Sequence, residues 1–131
     1  MASLLALCFV ALVTLCLGSP IASEVQLEKR ANVGRATFYN VGEGACGEFN
    51  VPTDPVVAIS TALFGAQFPG PHCGQGVTIT NTQNGKTVRG TVLDECAVCG
   101  AFDLDLSEGL FLQLTPSLSA GEIPVNWSFD D

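Results

Sequence analysis

Two neighbouring stretches decide the reading of this chain: Val92-Leu93-Asp94-Glu95-Cys96-Ala97-Val98-Cys99, and shortly after it Phe102-Asp103-Leu104-Asp105-Leu106-Ser107. In the second, period-two alternation puts Asp103 and Asp105 on one face of an extended strand and three apolar side chains on the other. Two carboxylates in a short apolar strand are costly unless they are hydrogen-bonded or functional. In the first, Asp94 stands beside Cys96, so a disulfide there would hold its carboxylate in place. An Asp that accepts backbone hydrogen bonds in a turn is the plainer alternative. If Asp94 and Asp105 converge, mutual repulsion and partial burial would raise one pKa and leave a proton donor near neutral pH.

More short strands flank these two. Residues 35–40 read as a first strand, with Thr37 and Tyr39 on one face and Phe38 on the other. Residues 41–50 form a Gly-rich loop holding Cys46, and Val56–Ser60 is an apolar strand. Residues 61–76, with Cys73, two Pro and four Gly, should be irregular. Residues 77–80 alternate as a half-buried strand, and Asn84-Gly85 turns the chain into a return strand over 86–93. A strand over 102–106 follows, and Ser107 can cap a helix over Glu108–Leu114 whose apolar face is Leu110, Phe111 and Leu114. In the last strand, 121–129, Ile123, Val125, Trp127 and Phe129 alternate with Glu122, Pro124, Asn126 and Ser128. Six short strands and one short helix in a domain of about 100 residues point to an all-β barrel with loops pinned by disulfides. A flat sandwich has the same periodicity.

The beginning of the chain reads as processing signals. The apolar run over 4–17, followed by Gly18, Ser19 and Pro20, suits a signal peptide over 1–19. It falls short of the ~20 residues a transmembrane helix needs. A short propeptide over 20–30 would end at the dibasic pair Lys29-Arg30, leaving 31–131 as the domain. That domain sets Arg35, Lys86 and Arg89 against eleven acidic residues, a net charge of −8. Such a surface repels nucleic acid and anionic membranes, and suits a neutral polysaccharide or a basic protein surface. Cys46, Cys73, Cys96 and Cys99 remain after Cys8 and Cys16 leave with the signal peptide. Four cysteines in a short exported domain suggest two disulfides, with three pairings open. Zinc is the rival reading of Cys96-x-x-Cys99, but it needs a second close ligand pair, and Cys46 and Cys73 stand far apart. No metal and no cofactor is expected. His72 lies in a Pro/Gly loop with no nucleophile pattern around it and reads as surface or structural. Asn126-Trp127-Ser128 is the one glycosylation sequon.

Thr37-Phe38-Tyr39, Gly44-Ala45-Cys46-Gly47, Cys73-Gly74, Asp94-Glu95-Cys96 and Leu104-Asp105-Leu106-Ser107 occur in the order seen in double-psi β-barrel proteins. The stretch over 58–64 resembles the one before the second Cys motif of expansins, and Gly121-Glu122-Ile123-Pro124-Val125-Asn126-Trp127 resembles the last strand. Together they cover nearly all of 31–127, and the chain is identified as similar to expansins, loosenins and rare lipoprotein A, the barwin-like endoglucanase superfamily. The resemblance implies a six-stranded double-psi barrel and the disulfides Cys46–Cys73 and Cys96–Cys99. It gives Asp105 the place of the catalytic acid of family 45 endoglucanases, Asp94 that of a second expansin aspartate, and Thr37 and Tyr39 that of polar groove residues. The endoglucanases carry a general base two residues after the Tyr; here that position is Val41. Inverting hydrolysis needs both carboxylates, so efficient cellulase activity is not expected.

Three functions are carried forward. The first is an extracellular, monomeric, loosenin-like protein that binds and loosens a β-glucan or chitin-type wall polysaccharide through Thr37, Tyr39, Asp94 and Asp105. The second is a protein-binding module, a protease inhibitor or an effector in plant–microbe contact, working through loops 43–55 and 64–72. The third is a glycan-cleaving lytic enzyme using Asp105 alone.

Overall fold

In the computed structural model, which describes residues 30–131, alternation translates directly into walls with an inner and an outer face. The signal segment over 1–19, with Cys8 and Cys16, and nearly all of the 20–30 stretch lie outside the described residues. The strands are β1 (Asn32–Tyr39), β2 (Val56–Ser60), β3 (Gly76–Asn81), β4 (Thr87–Cys96), β5 (Leu104–Ser107) and β6 (Ile123–Phe129). Two short helices accompany them, α1 (Thr61–Phe64) and α2 (Glu108–Leu114), and a 3-10 turn at Leu118–Ala120 leads into β6.

The strands close into a barrel in the order β1-β5-β2-β4-β3-β6, with β6 pairing back onto β1. Closure leaves no unpaired edge to recruit another chain. β1 runs parallel to β5 and β2 parallel to β4, while the other pairs are antiparallel. Parallel neighbours cannot be joined by hairpins, so the long loops cross the barrel ends. This is the double-psi topology expected from the sequence.

The inner face is continuous. Ala36, Val57, Ile59, Val77, Ile79, Val92, Leu104, Leu106, Ile123, Val125 and Trp127 are all buried in one cluster, closed at one side by Leu110, Phe111 and Leu114 of α2. Burying each large apolar side chain contributes about 1.5–3 kcal/mol. Phe38 enters the same cluster, its ring 4.9 Å from that of Phe111. Trp127 satisfies its one polar group by donating from Nε1 to the Phe102 carbonyl at 2.8 Å. Gly90 lets α2 lie close: a Cβ there would stand 2.6 Å from Val57 and 2.7 Å from Leu110.

Several local expectations are corrected. β1 begins earlier than residue 35, β4 extends past residue 93 to Cys96, and β5 is shifted to Leu104–Ser107. The 61–76 stretch is not wholly irregular: Ser60 caps α1 by accepting from the Leu63 amide. Ser107 does stand before α2 but gives it no side-chain cap. Its hydroxyl instead donates to the Asp54 carbonyl at 2.5 Å and accepts from the Val56 amide at 3.2 Å. That use braces the turn before β2, in which the Val56 amide also donates to the Asp54 carbonyl at 2.9 Å. The cysteines pair Cys46–Cys73 and Cys96–Cys99, with Cα separations of 5.7 and 5.4 Å.

Candidate functional site

Strand register carries the candidate residues into one row. Thr37 on β1 lies opposite Asp105 on β5, Asp105 lies opposite Ala58 on β2, and Ala58 lies opposite Asp94 on β4. Residues opposite each other in a ladder project to the same face. Ala58 alternates with Val57 and Ile59, which belong to the core, so the row faces the outside of the barrel. Asp94 and Asp105 are thus two strands apart, a Cα separation of ~10 Å, with Ala58 buried between them.

Asp94 reaches this face because of a β-bulge. The β2–β4 register shifts between Val57 and Ala58, so that Val57 faces Val92 but Ala58 faces Asp94. Leu93 is the extra residue. Were β4 regular through Leu93, Asp94 would alternate onto the same side as the buried Val92.

Each carboxylate then has its own surroundings. The Tyr39 hydroxyl donates to Asp94 Oδ2 at 2.7 Å, and the Ala45 and Glu95 amides both donate to Oδ1 at 2.8 Å. The Ala45 bond ties Asp94 to the loop that the Cys46–Cys73 disulfide anchors. Asp94 thus accepts backbone hydrogen bonds, as the turn alternative expects, and also faces Tyr39. Asp105 accepts from the Thr37 hydroxyl at 3.0 Å. Its pKa is raised, chiefly by burial; the Thr37 hydroxyl and the Leu106 amide pull it down, and the charge of Asp94 pushes it up. The Tyr39 phenol is also pushed up, first by burial, then by its bond to Asp94 and the charges of Asp94 and Asp105. It stays protonated and can donate throughout the physiological range.

Beyond Asp105 the row opens into a cleft of about 210 Å³. Its walls are Arg35, Thr37, Asp103, Asp105, Glu122, Val98 and the Cys96–Cys99 disulfide. Arg35 bridges the acids: its guanidinium is 2.9 Å from Glu122 and 3.7 Å from Asp103, and its backbone amide donates to Asp103 at 2.9 Å. Arg35 is on the same alternating face as Thr37 and Tyr39, a placement legible from period two that the sequence reading passed over. Ala58, the Ala45 amide and Glu122 were also missed, because they arrive through pairing partners far away in sequence.

The remaining candidates fall elsewhere. Val41 follows β1, so the position of the endoglucanase base carries no carboxylate. His72 stacks on Phe129 with ring centroids 4.1 Å apart and hydrogen-bonds Gln75 at 2.6 Å, a structural role. Asn126 lies in β6 between Val33 and Thr80. In the closed order, β6 is the wall across from β2. Among the described residues, no group of three His, Cys, Asp or Glu side chains is arranged to hold a metal ion, and no helix is long and apolar enough to cross a membrane.

No protein-family model matches the chain. The papain inhibitor of Streptomyces mobaraensis is 32% identical over 122 residues, covering 89% of this chain and 82% of the inhibitor. The solved structure of the Streptomyces papain inhibitor superposes with a TM-score of 0.70, covering 78% of this chain and 96% of that one. The expansin of Clavibacter michiganensis, at 32% identity, superposes with a TM-score of 0.65 over 77% of this chain. A ripening-related protein of rice, Oryza sativa subsp. japonica, is 36% identical over 92 residues, 66% of this chain. The chain spans about half the length of these last two, 50% and 53%. The inhibitor is named for inhibiting papain, and a mutant of the expansin has been solved in complex with cellohexaose. With nearly the whole inhibitor matched in sequence and in fold, the chain belongs to the family of the Streptomyces papain inhibitor, within the double-psi β-barrel superfamily that includes the expansins and the rare lipoprotein A-like and barwin-like proteins.

Proposed function

We propose that this chain is an extracellular protein that binds a neutral wall polysaccharide, of β-glucan or chitin type, along the outer face of β1, β5, β2 and β4. It would loosen chain–chain contacts without efficient hydrolysis. The observation that carries this reading is the row Thr37–Asp105–Ala58–Asp94 with Tyr39 at its end. A sugar ring offers hydroxyls that both donate and accept. The row answers with carboxylate acceptors at Asp94 and Asp105 and hydroxyls at Thr37 and Tyr39, all part-buried, while Ala58 is buried between them and adds no bulk. Each bond made here replaces one that a polymer chain makes with its neighbour. Hydrolysis lacks its second carboxylate: Asp105 has the raised pKa of an acid, but Asp94 shares its wall and is engaged by three donors, and Val41 stands at the base position. Inverting cleavage needs acid and base on opposite sides of the bond, roughly 6.5–9.5 Å apart. The expansin complex with cellohexaose supports a glycan as the ligand on this fold.

Sedimentation of the 31–131 protein with cellulose, chitin and peptidoglycan, with a reducing-sugar assay of each supernatant, tests the reading. Retention on a polymer with no sugar released is the expected result. Released sugar would point to the single-Asp lytic reading instead.

A second reading has its own support. Phe49 and Phe68 are 77% and 75% exposed, on the two loops joined by Cys46–Cys73. Large apolar side chains on rigid loops suit a protein partner, and the papain inhibitor matches this chain almost end to end. In this reading the chain inhibits a papain-like protease. A titration of papain activity with the wild-type protein and with Phe49→Ser/Phe68→Ser decides it: stoichiometric inhibition lost in the variant supports the protein-binding module.

A further inference from the structure

The cleft beside Asp105 differs in character from the polar row. One wall is apolar: the Cys96–Cys99 disulfide, and Val98 at the tip of its ring, 95% exposed. The facing wall is charged, with Asp103 and Asp105 as acceptors and the Arg35 guanidinium as donor, held in place by Glu122. The volume of about 210 Å³ is below the ~300–1,000 Å³ typical of a whole small-molecule site. It suits a substituent branching from a chain that lies in the row. An unsubstituted glucan would bring only hydroxyls here and leave Val98 and the disulfide in water.

We propose that this cleft receives the 2-acetamido group of an N-acetylhexosamine unit, so that the groove selects chitin-type chains over unsubstituted β-glucan. The methyl group packs on Val98 and the disulfide. The amide N–H donates to the Asp105 or Asp103 carboxylate, and the amide carbonyl accepts from Arg35. The acetamido group is uncharged, so the acidic surroundings do not repel it, whereas a uronate at the same position would meet three carboxylates. This inference rests on the polysaccharide reading of the row and narrows its substrate.

The test is calorimetric titration of the wild-type protein with hexa-N-acetylchitohexaose and with cellohexaose, repeated on Val98→Ser and Arg35→Gln. Burying one methyl and making one or two hydrogen bonds predicts an affinity for the N-acetylated hexamer about tenfold higher. Val98→Ser and Arg35→Gln should each lower the ratio of the two affinities about two- to fivefold, since each removes one of the contributions. Circular dichroism confirms that both variants remain folded; Val98 touches little, and Arg35 is mostly exposed. Equal affinity of the wild type for the two hexamers overturns the acetamido assignment and leaves the groove reading standing. Binding of neither hexamer removes the groove reading, and the assignment with it. A preference that persists undiminished in both variants places its origin outside this cleft and overturns the proposal.

Discussion

Asp94 and Asp105 stand on one wall in opposite circumstances, and the difference sets their behaviour. Asp94 receives hydrogen bonds from Tyr39, Ala45 and Glu95. Asp105 is half-buried and its pKa is raised by that burial. A group with a folded pKa above its unfolded value holds more protons in the native state between the two. Its contribution to stability is therefore greatest below the unfolded value of about 3.9, and declines as pH rises through the folded pKa. Asp105→Asn keeps an oxygen to accept from Thr37 but cannot ionise. The difference in melting temperature, variant minus wild type, should grow as pH is raised from 4 to 7; a difference that shrinks would mean that Asp105 is stabilised as the anion. Tyr39→Phe keeps the ring and removes one donor to Asp94, so a loss of about 1 kcal/mol in denaturant unfolding is expected. In the polysaccharide reading it also weakens glycan retention.

At the scale of elements, the two disulfides should matter unequally. Cys46–Cys73 closes a sequence separation of 27 residues and Cys96–Cys99 one of 3. Restricting the unfolded chain predicts a loss of roughly 3–4 kcal/mol for Cys46→Ser/Cys73→Ser and about 2 kcal/mol for Cys96→Ser/Cys99→Ser. Chemical denaturation of the two double variants gives the order directly. Gly90→Ala should cost about 1–3 kcal/mol, because the new methyl would collide with Val57 and Leu110 where α2 crosses β4. The elements also show what a sequence can and cannot disclose. Alternation alone places Thr37 and Tyr39 on one face of β1, and Trp127 inside, since each strand obeys period two locally. The same rule misplaces Asp94, because the bulge at Leu93 exists only through pairing with β2, more than thirty residues earlier. The Asp54 carbonyl that takes the Ser107 hydroxyl is likewise distant in sequence, so a local capping rule had no means of finding it. The double-psi order itself was legible through the succession of short motifs, none of which is specific alone.

Over the whole molecule, charge and the placement of the walls separate the site from the rest of the surface. The sequon residue Asn126 lies on β6, the wall across the barrel from Ala58. A glycan there would leave the groove open. The domain carries a net charge of −8, yet in the polysaccharide reading the row and its cleft would meet a neutral chain through hydroxyls, one amide and a methyl group. No ion pair forms between such a ligand and the protein, so salt has nothing to screen. Raising ionic strength from 0.01 to 1 M shortens the Debye length from about 30 to 3 Å. Retention on N-acetylated chitin should stay constant over that range. Deacetylated chitin carries ammonium groups and should bind the acidic surface at low salt and leave it as salt rises. If retention on the neutral polymer also collapses with salt, the attraction is a general one between an acidic protein and basic impurities or counterions on the polymer, and the groove is not the binding surface.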